Sequence, residues 1–282
     1  MENLKTIKNR LRTIGSIIKA MNSVKMVATV KLSRVSNANK HAQECARLLS
    51  DMFTKAAREY SMTGTPERDS WIYQKTGKSL IVVLSSDQGF SGSFTQYILD
   101  AALGAIRRYD NAKIVYFGKK GREAVAEVSG GVEEITSHPA MHSVSEFSAF
   151  LSEMVSEYVF NHGIDQIIVV SGKFENIIIQ RAKASTIFPV LPSGAEDASV
   201  TLEGNPQDCL NELFRMYVHE SFVGLLTEHL IAEFSARVMA MDASVRNAND
   251  MFSNLRIQYN KIRQDRITQE LTEIIASIEC VS

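Results

Sequence analysis

The sequence predicts an α/β chain in which a long antiparallel coiled coil of N- and C-terminal helices carries a small central α/β domain. Three observations predict it. Proline and glycine are nearly absent from both ends. Apolar residues at both ends recur at alternating spacings of three and four. The middle alternates between β-branched runs and amphipathic stretches.

The five prolines are Pro66, Pro139, Pro189, Pro192 and Pro206, so none lies in 1–65 or 207–282. Twelve of the fifteen glycines fall between 77 and 204. Proline costs a helix interior about 3 kcal/mol and glycine about 1. Both ends are therefore open to very long helices. In the first, apolar residues fall at Leu4, Ile7, Leu11, Ile14, Ile18, Met21, Ala28, Leu32 and Val35, a coiled-coil seam that Lys25 interrupts once. In the last, the seam reads Ile231, Phe234, Val238, Met241, Val245, Ala248, Phe252, Leu255, Tyr259 and Ile262. After Ile262 the phase slips, to Ile267, Leu271, Ile274 and Ile278, which would change the supercoil locally.

A helix over about 3–57 would run on the order of 80 Å, and one over about 208–278 more than roughly 100 Å. Neither buries its stripe alone, and antiparallel pairing is the economical solution. Charge agrees. Residues 1–60 carry twelve Lys/Arg and four Asp/Glu, a balance of +8, while 207–282 carry seven and eleven, a balance of -4. The expected division is a coiled-coil helix over 1–60, the α/β domain over 78–190 and a second coiled-coil helix over 207–282. Polar connectors fill 61–77 and 190–207.

Within the middle, Ser79–Ser85 is a strand by its β-branched run, and Ser93–Tyr109 is helical. Lys113–Phe117 is the next strand and Gly121–Val128 a short helix. Val144–Asn161 is a second clear helix, with Ser145 as N-cap and Glu146 in the first turn. Ile167–Val170 is a strand. Phe174–Phe188 reads as one or two more, with a bend near Phe174–Asn176. This alternation gives a Rossmann-like, largely parallel three-layer domain.

The chemistry looked for in such a domain is not legible. The loop Asp87-Gln88-Gly89-Phe90-Ser91-Gly92 sits between a strand and a helix, yet is neither GxGxxG nor GxxxxGK[ST]. It reads as a tight turn, and Gly118-Lys119-Lys120-Gly121 as a turn with solvated lysines. His138 and His142 lie beside Pro139, outside any zinc motif, and no GxSxG occurs. No cofactor, no metal and no catalytic residue are expected. The basic first helix (Lys5, Lys8, Arg10, Arg12, Lys19, Lys25, Lys31, Arg34) flanks an apolar seam, so it reads as a docking face in preference to a DNA-binding one.

Bulk properties set the remaining bounds. Net charge is -1, with 45% hydrophobic and 22% charged residues, ordinary values for a folded soluble protein. Cys45, Cys209 and Cys280 are widely spaced, which fits a reducing compartment. No run reaches the ~18 apolar residues of a membrane span, and the N-terminus carries neither a signal nor a transit pattern.

The C-terminal segment Ala236-Arg237-Val238-Met239-Ala240-Met241-Asp242-Ala243-Ser244 continues through Tyr259-Asn260-Lys261-Ile262-Arg263-Gln264. It then reads Ile267-Thr268-Gln269-Glu270-Leu271-Thr272-Glu273-Ile274-Ile275. It resembles the C-terminal signature of gamma subunits of F-type ATP synthases. Leu4-Lys5-Thr6-Ile7-Lys8 and Lys25-Met26-Val27-Ala28-Thr29-Val30-Lys31-Leu32 resemble that family's opening helix. Ser86-Asp87-Gln88-Gly89-Phe90-Ser91-Gly92-Ser93 sits where the family has SDxGLCG. Against the family's KAMxMVAAxKL, Asn22 replaces its lysine and Val24 its first methionine. Ser91 replaces the loop cysteine.

The resemblance implies a rotor shaft that couples ion flow to ATP synthesis or hydrolysis on beta subunits, with no active site of its own. The implied partners are three alpha and three beta subunits, an epsilon-type subunit and the membrane c-subunit ring. Arg263, Gln264 and Thr268 would contact the beta-subunit catch loop. Val24, Lys25, Met26, Val27, Arg237 and Gln258 would lie on the shaft near that zone. Leu271, Ile274, Ile275 and Ile278 would form an apolar tip. The implied location is peripheral, on the cytoplasmic face of a bacterial inner membrane in preference to an organellar one. A non-rotary coiled-coil scaffold or adaptor with an α/β head is the alternative, and an enzyme of the middle domain a third.

Overall fold

The computed structural model describes residues 4–36, 39–62, 71, 76–109, 112–120, 132–134, 144–190 and 200–279. Side chains are described over the same residues except 39–41, 62, 132–134 and 277–279. The elements are α1 (Leu4–Ser36), α2 (Asn39–Met62), β1 (Ser79–Leu84), α3 (Phe94–Arg108) and β2 (Ala112–Phe117). They continue as β3 (Val132–Glu134), α4 (Val144–His162), β4 (Gln166–Phe174), β5 (Gln180–Phe188) and α5 (Pro206–Glu279). The chain divides into two compact units, Met1–Ala28 with Val238–Ser282, and Thr29–Arg237. The helices α1 and α5 contribute to both.

In the first unit α1 and α5 pair through the predicted seam. Ile7 and Ala28 on α1 and Met241 and Ala248 on α5 are buried. Every other seam position through Ile262 is at least half-buried, while the intervening positions are largely exposed. The helices run antiparallel. Lys25 faces Asp242, and a Cβ on Gly15 would lie 3.8 Å from the Phe252 ring. Those facing pairs are ten residues apart on each helix. Eleven more residues bring Leu4, the first described residue of α1, level with Arg263. There the seam ends. Residues 263–276 of α5 are all exposed, so Ile267, Leu271 and Ile274 form no shifted seam here, contrary to the sequence reading. The facing helix has run out of described residues, and Ile278 lies beyond the described side chains.

The second unit holds a five-stranded sheet in the order β3-β2-β1-β4-β5. The first four strands are mutually parallel and β5 runs antiparallel to β4. Central β1 is buried at all six positions, as expected of a strand covered on both faces. One face packs Leu80, Val82, Val115 and Phe117 against α2, α4 and the early part of α5, whose Leu210, Phe214, Val218 and Phe222 lie on one stripe. The other packs Ile81, Val83, Ile114 and Ile168 against α3, with Ala232 and Ala236 of α5 joining it. Trp71 lies in the first of these cores, its ring 4.7 Å from that of Phe214. Its indole N–H donates to Asn211 Oδ1 at 2.8 Å.

Local differences from the sequence reading have physical causes. One helix to about residue 57 is expected; helix is described over Leu4–Ser36 and Asn39–Met62, and residues 37–38 between them lie outside the described residues. The expected cap Ser145 lies inside α4, which already begins at Val144. Phe174–Phe188 resolves into the end of β4 and all of β5. The turn between them is closed by Asn176 Oδ1, which accepts from Ile178 N–H and Ile179 N–H at 2.9 and 2.8 Å. The short strand β3 is not anticipated. The Gly121–Val128 helix, His138 and His142 lie outside the described residues.

Candidate functional site

Three places carry the expected site residues. The first is the bare end of α5. Arg263, Gln264, Thr268, Leu271, Ile274 and Ile275 are all exposed there. Local side-chain bonds brace this turn-by-turn. Thr268 Oγ1 donates to Gln264 O at 3.0 Å, and Thr272 Oγ1 to Thr268 O at 2.8 Å. Arg266 Nε donates to Glu270 Oε1 at 3.1 Å, and Gln269 Nε2 to Glu273 Oε1 at 3.0 Å. The two side-chain pairs, Arg266–Glu270 and Gln269–Glu273, each support an exposed helix by roughly 0.2–0.5 kcal/mol. The arrangement presents a polar turn at 263–268 followed by exposed aliphatic side chains, a surface suited to a polar grip and a smooth apolar bearing.

The second place is farther back in the same unit. Met26 is 70% exposed and Val27 is also exposed, while Val24 is half-buried; Gln258, exposed too, lies instead five residues before Arg263, next to the first place. Lys25 turns inward. Its ammonium pairs with the Asp242 carboxylate across the seam. Asp242 also pairs with Arg246, one turn along α5, at 2.8 Å. The Lys25 hydrogen bond, reinforced by Arg246, holds the Asp242 carboxyl below its ordinary range.

The third place is in the second unit. Arg237 is only 4% exposed. Its guanidinium donates to Gly89 O at 3.2 Å and to Gln88 O at 3.1 Å, and pairs with Glu233 at 2.5 Å. The other Glu233 oxygen lies 3.7 Å from His229 Nε2, and His229 Nδ1 accepts from Gly172 N–H at 3.0 Å. The charged fork therefore serves the β1–α3 loop of its own chain. That loop is fastened elsewhere too. Lys119 N–H donates to Asp87 Oδ1 and Lys120 N–H to Ser86 O, each at 3.2 Å. Gly118, at φ +102°, comes so close to the Ser85 carbonyl that no Cβ fits. Phe90, held at φ +66°, is 71% exposed.

The structure thus separates residues that the sequence reading groups together. Arg263, Gln264, Thr268 and the aliphatic tip share one exposed helix end. Lys25 is committed to Asp242, and Arg237 to the loop. Asp242 and Glu233 are the partners that sequence reasoning missed. Glu233 lies four residues before Arg237, a spacing that signals a helix-face ion pair. Asp242 gives no local sign of Lys25, which is 217 residues away. A separate cleft of about 480 Å³ opens between α2, α4 and α5, lined in part by Cys45, Leu49, Met216 and His219. Among the described residues no group of three His, Cys, Asp or Glu could hold a metal ion.

Comparison with known proteins bears on the whole chain. A family model for ATP synthase matches residues 3–281. An ATP synthase gamma chain of Sulfurovum sp. (strain NBC37-1) is 30% identical over 296 residues, covering 99% of each chain. One of Helicobacter acinonychis (strain Sheeba) is 28% identical over 305 residues, covering 100% of both. Among solved structures, a chain of the Euglena gracilis mitochondrial ATP synthase, OSCP/F1/c-ring in rotational state 3, superposes with a TM-score of 0.70 at 16% identity. It covers 99% of this chain and 94% of that one. A chain of the Tetrahymena thermophila mitochondrial central stalk and c-ring gives 0.59 at 19% identity, over 81% and 99%. At these identities the structural likeness is one of fold. Both structures are mitochondrial, so the preference for a bacterial over an organellar setting has no support.

Proposed function

Because the chain belongs to the ATP synthase gamma-chain family, we propose that it turns as the central shaft of an F-type complex, with the 263–268 turn of α5 as its grip on the catalytic ring. The chain is a non-catalytic subunit, and the chemistry belongs to the beta subunits. The observation that carries the reading is the end of α5, which outruns the seam and presents Arg263, Gln264 and Thr268 below an exposed aliphatic tip.

Arginine suits the grip, because its planar fork bonds a carboxylate bidentately and keeps its charge in every state. The tip, Leu271, Ile274, Ile275 and Ile278, bears on an apolar sleeve without directional bonds, so it resists tilt but not rotation. A shaft that contacts each catalytic conformation differently shifts their populations as it turns, and that differential contact is the coupling. Gln258 lies just before the grip, and Val24, Met26 and Val27 lie farther back on the paired part of the shaft. The partners are three alpha and three beta subunits, an epsilon-type subunit and the membrane c-subunit ring. No helix among the described residues is long and apolar enough to cross a membrane; in the proposed complex the c ring provides the attachment to the membrane.

The test is Arg263→Ala with Gln264→Ala in the assembled complex, reading ATP-driven ion pumping, hydrolysis and subunit content. Loss of pumping per ATP with all subunits still present is expected. Unchanged pumping, hydrolysis and assembly would refute the grip. Failure of the purified chain to assemble with three alpha and three beta subunits would remove the shaft reading altogether.

A further inference from the structure

We infer that Lys25 and Asp242 set the axial register of the α1–α5 pair, the one property that its apolar seam leaves open. The seam residues of α5 from Val238 to Leu255 each have another seam residue seven positions farther on. On α1 the same holds for Leu4, Ile7, Leu11, Ile14 and Met21. Sliding one helix past the other by seven residues, roughly 10 Å, therefore exchanges apolar layers for apolar layers. Along the seam of the first unit, burial alone barely distinguishes the two arrangements.

The charged layer does distinguish them. Lys25 is the only charged residue among the seam positions, and in the observed register it meets Asp242. A seven-residue slide would set it against Asn249 in one direction and Ser235 in the other, neither of them charged. The half-buried ammonium would lose its carboxylate, and Asp242 would keep only Arg246. A lone polar layer in an apolar seam fixes register in this way even where it adds little stability. For a shaft, register matters because it sets how far the end of α5 projects beyond α1.

The experiment uses the full chain with Cys45, Cys209 and Cys280 replaced by serine. Spin labels go on Thr6→Cys and Asn247→Cys, two exposed positions, and pulsed dipolar spectroscopy reads the distance. The parent should give a single distance. Lys25→Asp should split the distribution, adding a component displaced by up to about 10 Å. Combining Lys25→Asp with Asp242→Lys should restore one distance. Lys25→Met keeps an apolar layer, so its thermal midpoint should not fall, yet its distances should still split. A single, unshifted distance in Lys25→Met would overturn the inference, as would a charge swap that fails to restore the parent distance. Neither readout depends on the assembled complex, so failure here is distinct from failure of the shaft reading.

Discussion

Replacing Arg237 with alanine should destabilise the second unit by about 3–5 kcal/mol, the usual cost of breaking a buried ion pair from one side. The figure follows from three losses. Glu233, with its side chain only 10% exposed, keeps its charge without its partner. The carbonyls of Gln88 and Gly89 each lose a bond from a charged donor, worth roughly 1.5–3 kcal/mol in isolation. Not all of this is realised, because the loop can relax toward water. Urea unfolding of the full chain, followed by Trp71 fluorescence, reads the effect, since Trp71 is the only tryptophan and lies in a core of the same unit. At a slope of about 2–3 kcal/mol per M the midpoint should fall by roughly 1–2.5 M. Arg237→Met with Glu233→Leu should recover much of the loss, because the orphaned carboxylate goes with its partner. An Arg237→Ala protein within about 1 kcal/mol of the parent, below the range for a broken buried pair, would refute the burial of this pair.

Three further outcomes are expected. Tyr116 is buried and its hydroxyl has no hydrogen-bond partner among the described residues. Burial pushes its pKa above the ordinary tyrosine range, so Tyr116→Phe should be neutral or stabilising by about 1 kcal/mol and should remove a late-titrating phenol from an alkaline absorbance titration. Gly172→Ala would bring a Cβ within 2.5 Å of the Phe94 ring, and urea unfolding should show a loss of about 1–3 kcal/mol from overpacking. Asp242, whose folded pKa is lowered, contributes stability above its unfolded pKa near 3.9 and loses it as pH falls through the folded value. The stability gap between the parent and Asp242→Asn should therefore be full at neutral pH and close in acid. A gap that widened in acid would reverse the assigned sign.

The paired helices were legible because periodicity is written into the chain locally. Each of the ten α5 seam positions from Ile231 to Ile262 is at least half-buried, and the one irregularity, Lys25, marks the place where the pair carries charge. What escaped was the identity of distant partners. Arg237 resembles a shaft-surface residue in its sequence context, but it reaches a loop almost 150 residues earlier, and no local pattern announces that. The end of the seam was legible in part: the phase slip after Ile262 marks where the pair gives way, although the spacing of Ile267, Leu271 and Ile274 still resembles a continuing stripe. Periodicity records only which residues share a face, and the length of the facing helix decides whether that face is covered. The strand β3, of three residues, is too short to show alternation.

The unequal lengths of α1 and α5 also give one continuous helix two different lifetimes. Amides along the seam exchange with solvent only when two helices separate, whereas those at 263–276 need only local fraying. Hydrogen–deuterium exchange of the free chain should therefore show a step in protection near Ile262, despite unbroken helix through Glu279. Whatever surrounds the end of α5 must quench that fraying on binding. Under the proposed grip, part of the interaction free energy then goes into ordering the helix, which would temper the affinity of a contact made and released as the shaft turns.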